Sequence, residues 1–65
     1  AGVGEQVLRS LAALAAARGD HLVTLHAQRT AEAFYARLGF RPTGAPFDEA
    51  GIPHVTMTSG LPLAD

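Results

Sequence analysis

The stretch Gln28-Arg29-Thr30-Ala31-Glu32-Ala33-Phe34-Tyr35-Ala36-Arg37-Leu38-Gly39-Phe40 carries the densest structural information in the chain. Ala31, Phe34, Tyr35 and Leu38 recur at helical spacing and share one face. This predicts a helix from about Arg29 to Leu38, with Gln28 or Thr30 near its start. Gly39 stands where a helix end calls for a left-handed residue. The inward face carries two adjacent aromatic rings, and a third, Phe40, follows the stop.

Upstream, His21-Leu22-Val23-Thr24-Leu25-His26 is expected to form a strand. Leu22, Val23 and Leu25 break strict alternation, which predicts burial on both faces, as in a parallel sheet. Before it, Val3, Val7, Leu8, Leu11, Leu14 and Ala15 trace a helical stripe. Glu5 and Arg9 pair across one turn in the favoured order. The alanine run from Ala12 to Ala17 favours helix and lets the backbone approach a sheet closely. Arg18 suits the last turn, and Gly19 suits the position just beyond it.

Downstream, Phe40-Arg41-Pro42 starts a short strand, and Pro42 argues against a central place in a sheet. Thr43 to Pro46 is expected to turn. Phe47-Asp48-Glu49-Ala50-Gly51 leads into a hairpin, and His54-Val55-Thr56-Met57-Thr58 alternates as the last strand. Gly60 to Asp65 is expected to be a frayed tail. The order helix-strand-helix-strand-strand defines an α/β chain with a mixed sheet. A helix followed by a buried strand is half of a βαβ crossover, so a parallel strand is expected before the first helix.

Composition narrows the possible chemistry. Of 65 residues, 48% are hydrophobic, but 13 are alanines, and three Phe and one Tyr supply all the aromatic bulk. A core this small stabilises little alone, and such chains usually add a disulfide, a metal or a partner. The absence of Cys excludes disulfide, zinc-thiolate and thiol chemistry. His21, His26 and His54 have no close-spaced ligand pattern, so no metal site is expected. Five Arg, no Lys and six acids leave a net charge of −1, with no bulk attraction to nucleic acid or an anionic membrane. No apolar run approaches the roughly 20 residues of a membrane span. No signal peptide is visible, which makes the cytoplasm the expected location.

Two features can carry chemistry. Gly2 and Gly4 sit at a helix start, where free N–H groups attract anions and glycine lets a ligand approach the backbone. Ordinary loop-to-helix geometry explains two such glycines as well. Tyr35 lies on an inward helical face, where a phenol needs a partner. It is either a core tyrosine with its hydroxyl at the rim or a proton donor to a leaving group. His54, at the start of the last strand, can bind or deprotonate an amine, or simply hold the hairpin. His26 lies at the C-terminal end of its strand, where α/β sites gather; His21 is expected to be solvated. Asp48 and Glu49 can attract a cationic amine or form a charged turn.

Taken with their spacing, these residues resemble the GNAT superfamily of N-acetyltransferases. Its acetyl-coenzyme A site carries Arg/Gln-x-x-Gly-x-Gly/Ala at a strand-to-helix junction, and Gly2 and Gly4 match the last two fixed positions. Its later helix carries Asn-x-x-Ala-x-x-Phe/Leu-Tyr followed by Gly-Phe. Ala31, Phe34, Tyr35, Gly39 and Phe40 match, and Gln28 stands where Asn is usual. Ala27-Gln28 and Phe47-Asp48-Glu49-x-Gly51-Ile52-Pro53-His54-x-x-Met57 look like the ElaA-like branch. The resemblance covers residues 1–58, as the C-terminal half of such a domain, and leaves 59–65 as a tail.

The resemblance implies acetyl transfer from acetyl-coenzyme A to a small-molecule or peptide amine. The pantetheine arm would lie in a split between two parallel strands, one of them His21 to His26. The pyrophosphate would sit on the backbone around Gly2, Val3, Gly4 and Glu5, with Gln28 and Phe34 also on the cofactor side. Tyr35 would protonate the departing thiolate. His54 and His26 would face the acceptor, and the general base has no assigned residue. An N-terminal half, from another segment or a second copy, would be needed. The alternative is a non-catalytic acyl-coenzyme A-binding or protein-interaction module, with the sheet edge at His21 to His26 open to strand pairing.

Overall fold

The computed structural model describes residues 2–63. Helix α1 (Val3–Ala17) is followed by strand β1 (Leu22–Gln28), a 3₁₀ turn (Arg29–Ala31), helix α2 (Glu32–Arg37), strand β2 (Arg41–Glu49) and strand β3 (Ile52–Gly60). The predicted order of elements is the observed one.

Both helices end on the same device. After α1, Gly19 takes φ +98°; its N–H donates to the Ala16 carbonyl at 3.0 Å, and the Asp20 N–H donates to the Ala15 carbonyl at 3.0 Å. After α2, Gly39 takes φ +98°; its N–H reaches the Ala36 carbonyl and the Phe40 N–H reaches the Tyr35 carbonyl, each at 3.1 Å. These paired bonds are Schellman motifs, which satisfy terminal carbonyls and need a residue that tolerates positive φ. The first turn of the second predicted helix is 3₁₀ rather than α.

The sheet order is β1-β3-β2, with both pairings antiparallel. Ala50 and Gly51 join β2 to β3 with φ +53° and +77°, the twist a two-residue hairpin favours. Pro42 falls on the edge strand β2, where a missing N–H is tolerated. The segment Thr43 to Pro46 lies within β2 rather than in a separate turn. Its turn chemistry survives as a register shift between Thr43 and Phe47, with Gly44 at φ +78°.

One face of the sheet meets the helices. Ala27, Leu38, Phe40, Val55 and Met57 form the buried cluster, and Leu8, Val23, Leu25, Phe34, Tyr35 and Leu63 pack around it. Phe40 and Met57 are its largest fully buried side chains. The expectation that β1 is buried on both faces is corrected: Val23, Leu25 and Ala27 point inward, while Leu22, Thr24, His26 and Gln28 are exposed. Among the described residues β1 has a neighbour on one side only, the antiparallel β3, and nothing covers its second face.

The stripe on α1 is also only partly buried. Ala12 and Leu8 meet the rest of the chain. Val3 (78%), Val7, Leu11 (60%) and Leu14 stay exposed. The helix presents its narrow alanine side to the sheet and leaves its bulkier apolar side open. At the other end, β3 runs to Gly60, beyond the expected Thr58. Leu61 donates to the His21 carbonyl at 2.9 Å, and Leu63 packs on the core, so these tail residues are tied down. The last two residues and Ala1 lie outside the described residues.

Candidate functional site

The predicted residues gather at three places. The first is the start of α1. Gly2 is the N-cap, extended at φ −133° and ψ −174°, and its carbonyl accepts the Gln6 N–H at 3.2 Å. The N–H groups of Val3, Gly4 and Glu5 precede the first helical bond and point outward at the positive end of the helix dipole. A Cβ placed on Gly2 or Gly4 would meet nothing within 4 Å. The fold itself therefore does not require glycine at either position. The Glu5 carboxylate is turned along the helix to Arg9 Nε at 3.1 Å, which offsets its charge beside the free N–H groups. A phosphate-bearing group fits this donor set, which is open, backbone-made and free of steric cover.

The second place is α2. Tyr35 is half-buried, edge-to-face with Phe34 at 5.1 Å and with Phe40 at 5.8 Å. Its carbonyl accepts N–H groups from both Leu38 and Phe40, so backbone and ring are fixed together. No buried side-chain oxygen lacks a hydrogen bond among the described residues, and no bond engages the phenol; its hydroxyl therefore sits at the rim, as a proton donor must. Phe34 packs on the core edge with the Arg37 guanidinium 6.0 Å from its ring centre. Gln28 ends β1, exposed, and makes no cap bond to the turn that follows. Its amide stays available.

The third place lies on the opposite face of the sheet. The turn at Ala50-Gly51 sets Glu49 against Ile52 and Phe47 against His54, while β1 brings Gln28 beside His54 and His26 beside Thr56. His26 Nδ1 lies 3.0 Å from Glu49 Oε1. His54 Nδ1 donates to the Ile52 carbonyl at 2.7 Å, and His54 Nε2 lies 3.8 Å from Glu49 Oε2. Phe47 stacks on His54 at 6.1 Å and 27°, and meets His26 edge-on at 5.0 Å. This cover leaves His54 only 7% exposed although it points away from the core.

The fold thus brings His26 and His54 together through Glu49 and Phe47. It keeps them on the face away from Tyr35. The sequence offers Glu49 as an attractor of a cationic amine or as part of a charged turn, and Phe47 as part of the ElaA-like pattern, but neither as a link between His26 and His54. Counting back from a two-residue turn pairs Phe47 with His54 and puts Glu49 on the same face, so that part was accessible. The approach of His26 was not, because it depends on the register of β1 with β3. His21 is exposed, just before β1. Among the described residues no three His, Asp or Glu side chains are placed to hold a metal ion, and no helix is long and apolar enough to cross a membrane.

Comparison with known proteins identifies the setting of these sites. The acetyltransferase (GNAT) domain family matches residues 1–61. A provisionally assigned acetyltransferase of Bacillus subtilis is 37% identical over 57 residues, which is 88% of this chain and 39% of that protein. The uncharacterized protein YyaT of the same organism is 37% identical over 60 residues, 92% of this chain and 40% of its own length. The crystal structure of a provisionally assigned N-acetyltransferase from Lactobacillus plantarum superposes with a TM-score of 0.88 at 38% identity, covering 92% of this chain and 41% of that one. An acyl-CoA N-acyltransferase from Pseudomonas aeruginosa gives a TM-score of 0.76 at 36% identity, over 89% and 40% of the two chains. The chain spans about two fifths of the length of the relatives it matches. With a family match over 61 residues and the same α/β architecture, the chain belongs to the GNAT acetyltransferase family.

Proposed function

We propose that this chain carries the coenzyme-binding turn and the proton donor of an acetyl-coenzyme A-dependent N-acetyltransferase, of the ElaA-like branch. One observation carries the reading. A GNAT-family chain joins a glycine helix start, with open space over both glycines, to a tyrosine whose ring and backbone are locked while its hydroxyl stays at the rim.

Acetyl-coenzyme A, when bound, supplies the acyl thioester. The N–H groups of Val3, Gly4 and Glu5 bind its phosphates, and Gly2 and Gly4 allow the close approach. Gln28 contributes a free amide, and Phe34 an apolar wall. Tyr35 Oη holds a proton for the leaving sulfur, a role general acids fill with rate gains of roughly 10²–10⁴-fold. The acceptor is a small-molecule or peptide amine, on the side of His26 and His54.

The chain supplies the C-terminal part of the domain in this reading. The rest comes from another segment or a second copy. The open edge of β1 and the uncovered Val3, Val7, Leu11 and Leu14 support that arrangement. Calorimetry of the 65-residue chain with acetyl-coenzyme A tests it, and micromolar affinity for the chain alone contradicts it.

Activity itself is testable in a hybrid that places this chain in the matching segment of the Lactobacillus plantarum relative. Thiol release from acetyl-coenzyme A with a panel of amines is the expected outcome. A hybrid that folds and binds the coenzyme but releases no thiol with any amine contradicts the reading. The same exposed stripe favours a second reading, a protein-interaction module that keeps the fold without turnover, and that outcome would support it.

A further inference from the structure

The flank of α1 carries an apolar surface that neither the core nor the coenzyme turn uses. Val3, Val7, Leu11 and Leu14 are each more than half exposed. At the helical repeat of about 3.6 residues they fall on one line along the helix. Leu8 and Ala12, which face the rest of the chain, lie about a third of a turn away. The stripe therefore looks sideways, and a second helix can lie along it without displacing α1 from its own core. Beside it runs an open groove of about 330 Å³, lined by Val3, Gln6, Val7, Ser10 and Leu11.

The stripe is complementary to itself. A two-fold axis crossing the helix between Val7 and Leu11 sets Val3 opposite Leu14, and Val7 opposite Leu11, of a second copy. Each contact then matches a shorter side chain with a longer one, and the leucines of each copy enter the groove of the other. No charged side chain interrupts the seam. Glu5 and Arg9 pair with each other at 3.1 Å on the far side of the helix, and Arg18, at the end of the stripe, is paired with Asp20 at 2.7 Å. Electrostatics sets the antiparallel sense. It places the positive start of each helix beside the negative end of the other, whereas a parallel pair would bring like ends together.

We propose that two copies of this chain associate through an antiparallel α1–α1 contact, with Val3 against Leu14 and Val7 against Leu11. The contact builds on the reading above only in choosing a second copy over another segment, and it is independent of acyl transfer. The core of a chain this short is small, and association supplies burial that one copy lacks. A seam of four apolar residues from each copy belongs with the small, reversible interfaces. It also sets the end of one helix beside the start of the other, so the second copy closes the flank of the turn at Gly2 and Gly4.

The chain has no Cys, so single-cysteine variants report the register. Val3→Cys and Leu14→Cys change exposed side chains and leave the core untouched. The two variants are mixed in equal amounts at sub-millimolar concentration and oxidised gently. An antiparallel seam brings position 3 of one copy within the Cα separation of about 4.4–6.8 Å that a disulfide needs from position 14 of the other. It keeps like positions roughly 16 Å apart along the axis, at a rise of about 1.5 Å per residue. The disulfide between the two variants is therefore expected at least tenfold in excess over the disulfide of either variant with itself.

Sedimentation velocity of the unsubstituted chain is expected to show a reversible equilibrium of monomer and dimer with no larger species. Leu11→Gln is expected to weaken that dimer at least tenfold with unchanged circular dichroism. Self-disulfides as abundant as the mixed one overturn the proposal. A monomer throughout the concentration range overturns it too, and leaves the stripe to another segment of a GNAT domain. Association unaltered in L11Q overturns it in favour of the β1 edge. None of these outcomes touches acyl transfer, which thiol release by the hybrid enzyme tests separately.

Discussion

The N–H of Phe40 donates to the carbonyl of Tyr35 at 3.1 Å, and their rings meet edge-to-face at 5.8 Å. One Schellman turn therefore both ends α2 and fixes the residue proposed as the proton donor. Its pivot is Gly39 at φ +98°. Gly39→Ala forces a side chain into the left-handed region and is expected to cost about 1–2 kcal/mol. Thermal unfolding by circular dichroism checks this, and a drop of roughly 4–8 °C per kcal/mol is expected for a chain of this size. An unchanged midpoint would show that the turn does not constrain Tyr35.

Gly4 separates structure from function. A Cβ there meets nothing within 4 Å, and alanine favours helix over glycine by roughly 0.5–1 kcal/mol. Gly4→Ala is expected to leave the fold intact or raise its stability. It is also expected to weaken acetyl-coenzyme A binding by the hybrid at least tenfold. Equal affinity in calorimetry would remove Gly4 from the phosphate cradle.

The hairpin carries a correctable strain. Ala50 is a non-glycine residue at φ +53° in a two-residue turn, where Asn-Gly is the favoured pair. Ala50→Asn is expected to add roughly 0.5–1 kcal/mol, a part of the left-handed penalty on alanine. A urea midpoint that fails to rise would contradict this.

The uncovered side of α1 makes a prediction about solution behaviour. Val7 and Leu11 are exposed at 52% and 60% and one helical turn apart. Val7→Asp with Leu11→Asp is expected to reduce self-association of the 65-residue chain in concentration-dependent light scattering, with little change in its helical signal. Association that persists in the double variant would point to the β1 edge as its source instead.

The two helix stops, the hairpin and the edge position of β2 were legible because each depends on local chemistry: Gly19, Gly39, Gly51 and Pro42. The burial of β1 and α1 was not. A run such as Leu22-Val23 records the apolar character of both faces, but only the neighbouring elements decide which are covered, and the described chain covers one. The same limit applied to the candidate sites. Tyr35 and the α1 glycines stand within short motifs. The His26–Glu49 bond joins residues 23 positions apart and exists only once β1 has docked on β3.

The reading of Tyr35 as proton donor is tested most directly by the Tyr35→Phe variant of the hybrid enzyme. Phenylalanine keeps the ring contacts with Phe34 and Phe40 and the backbone bonds that close the turn, so the fold and acetyl-coenzyme A affinity should be retained. Thiol release with a reactive amine at saturating coenzyme should fall at least a hundredfold, within the range general acids contribute. Undiminished thiol release in Y35F would contradict the account.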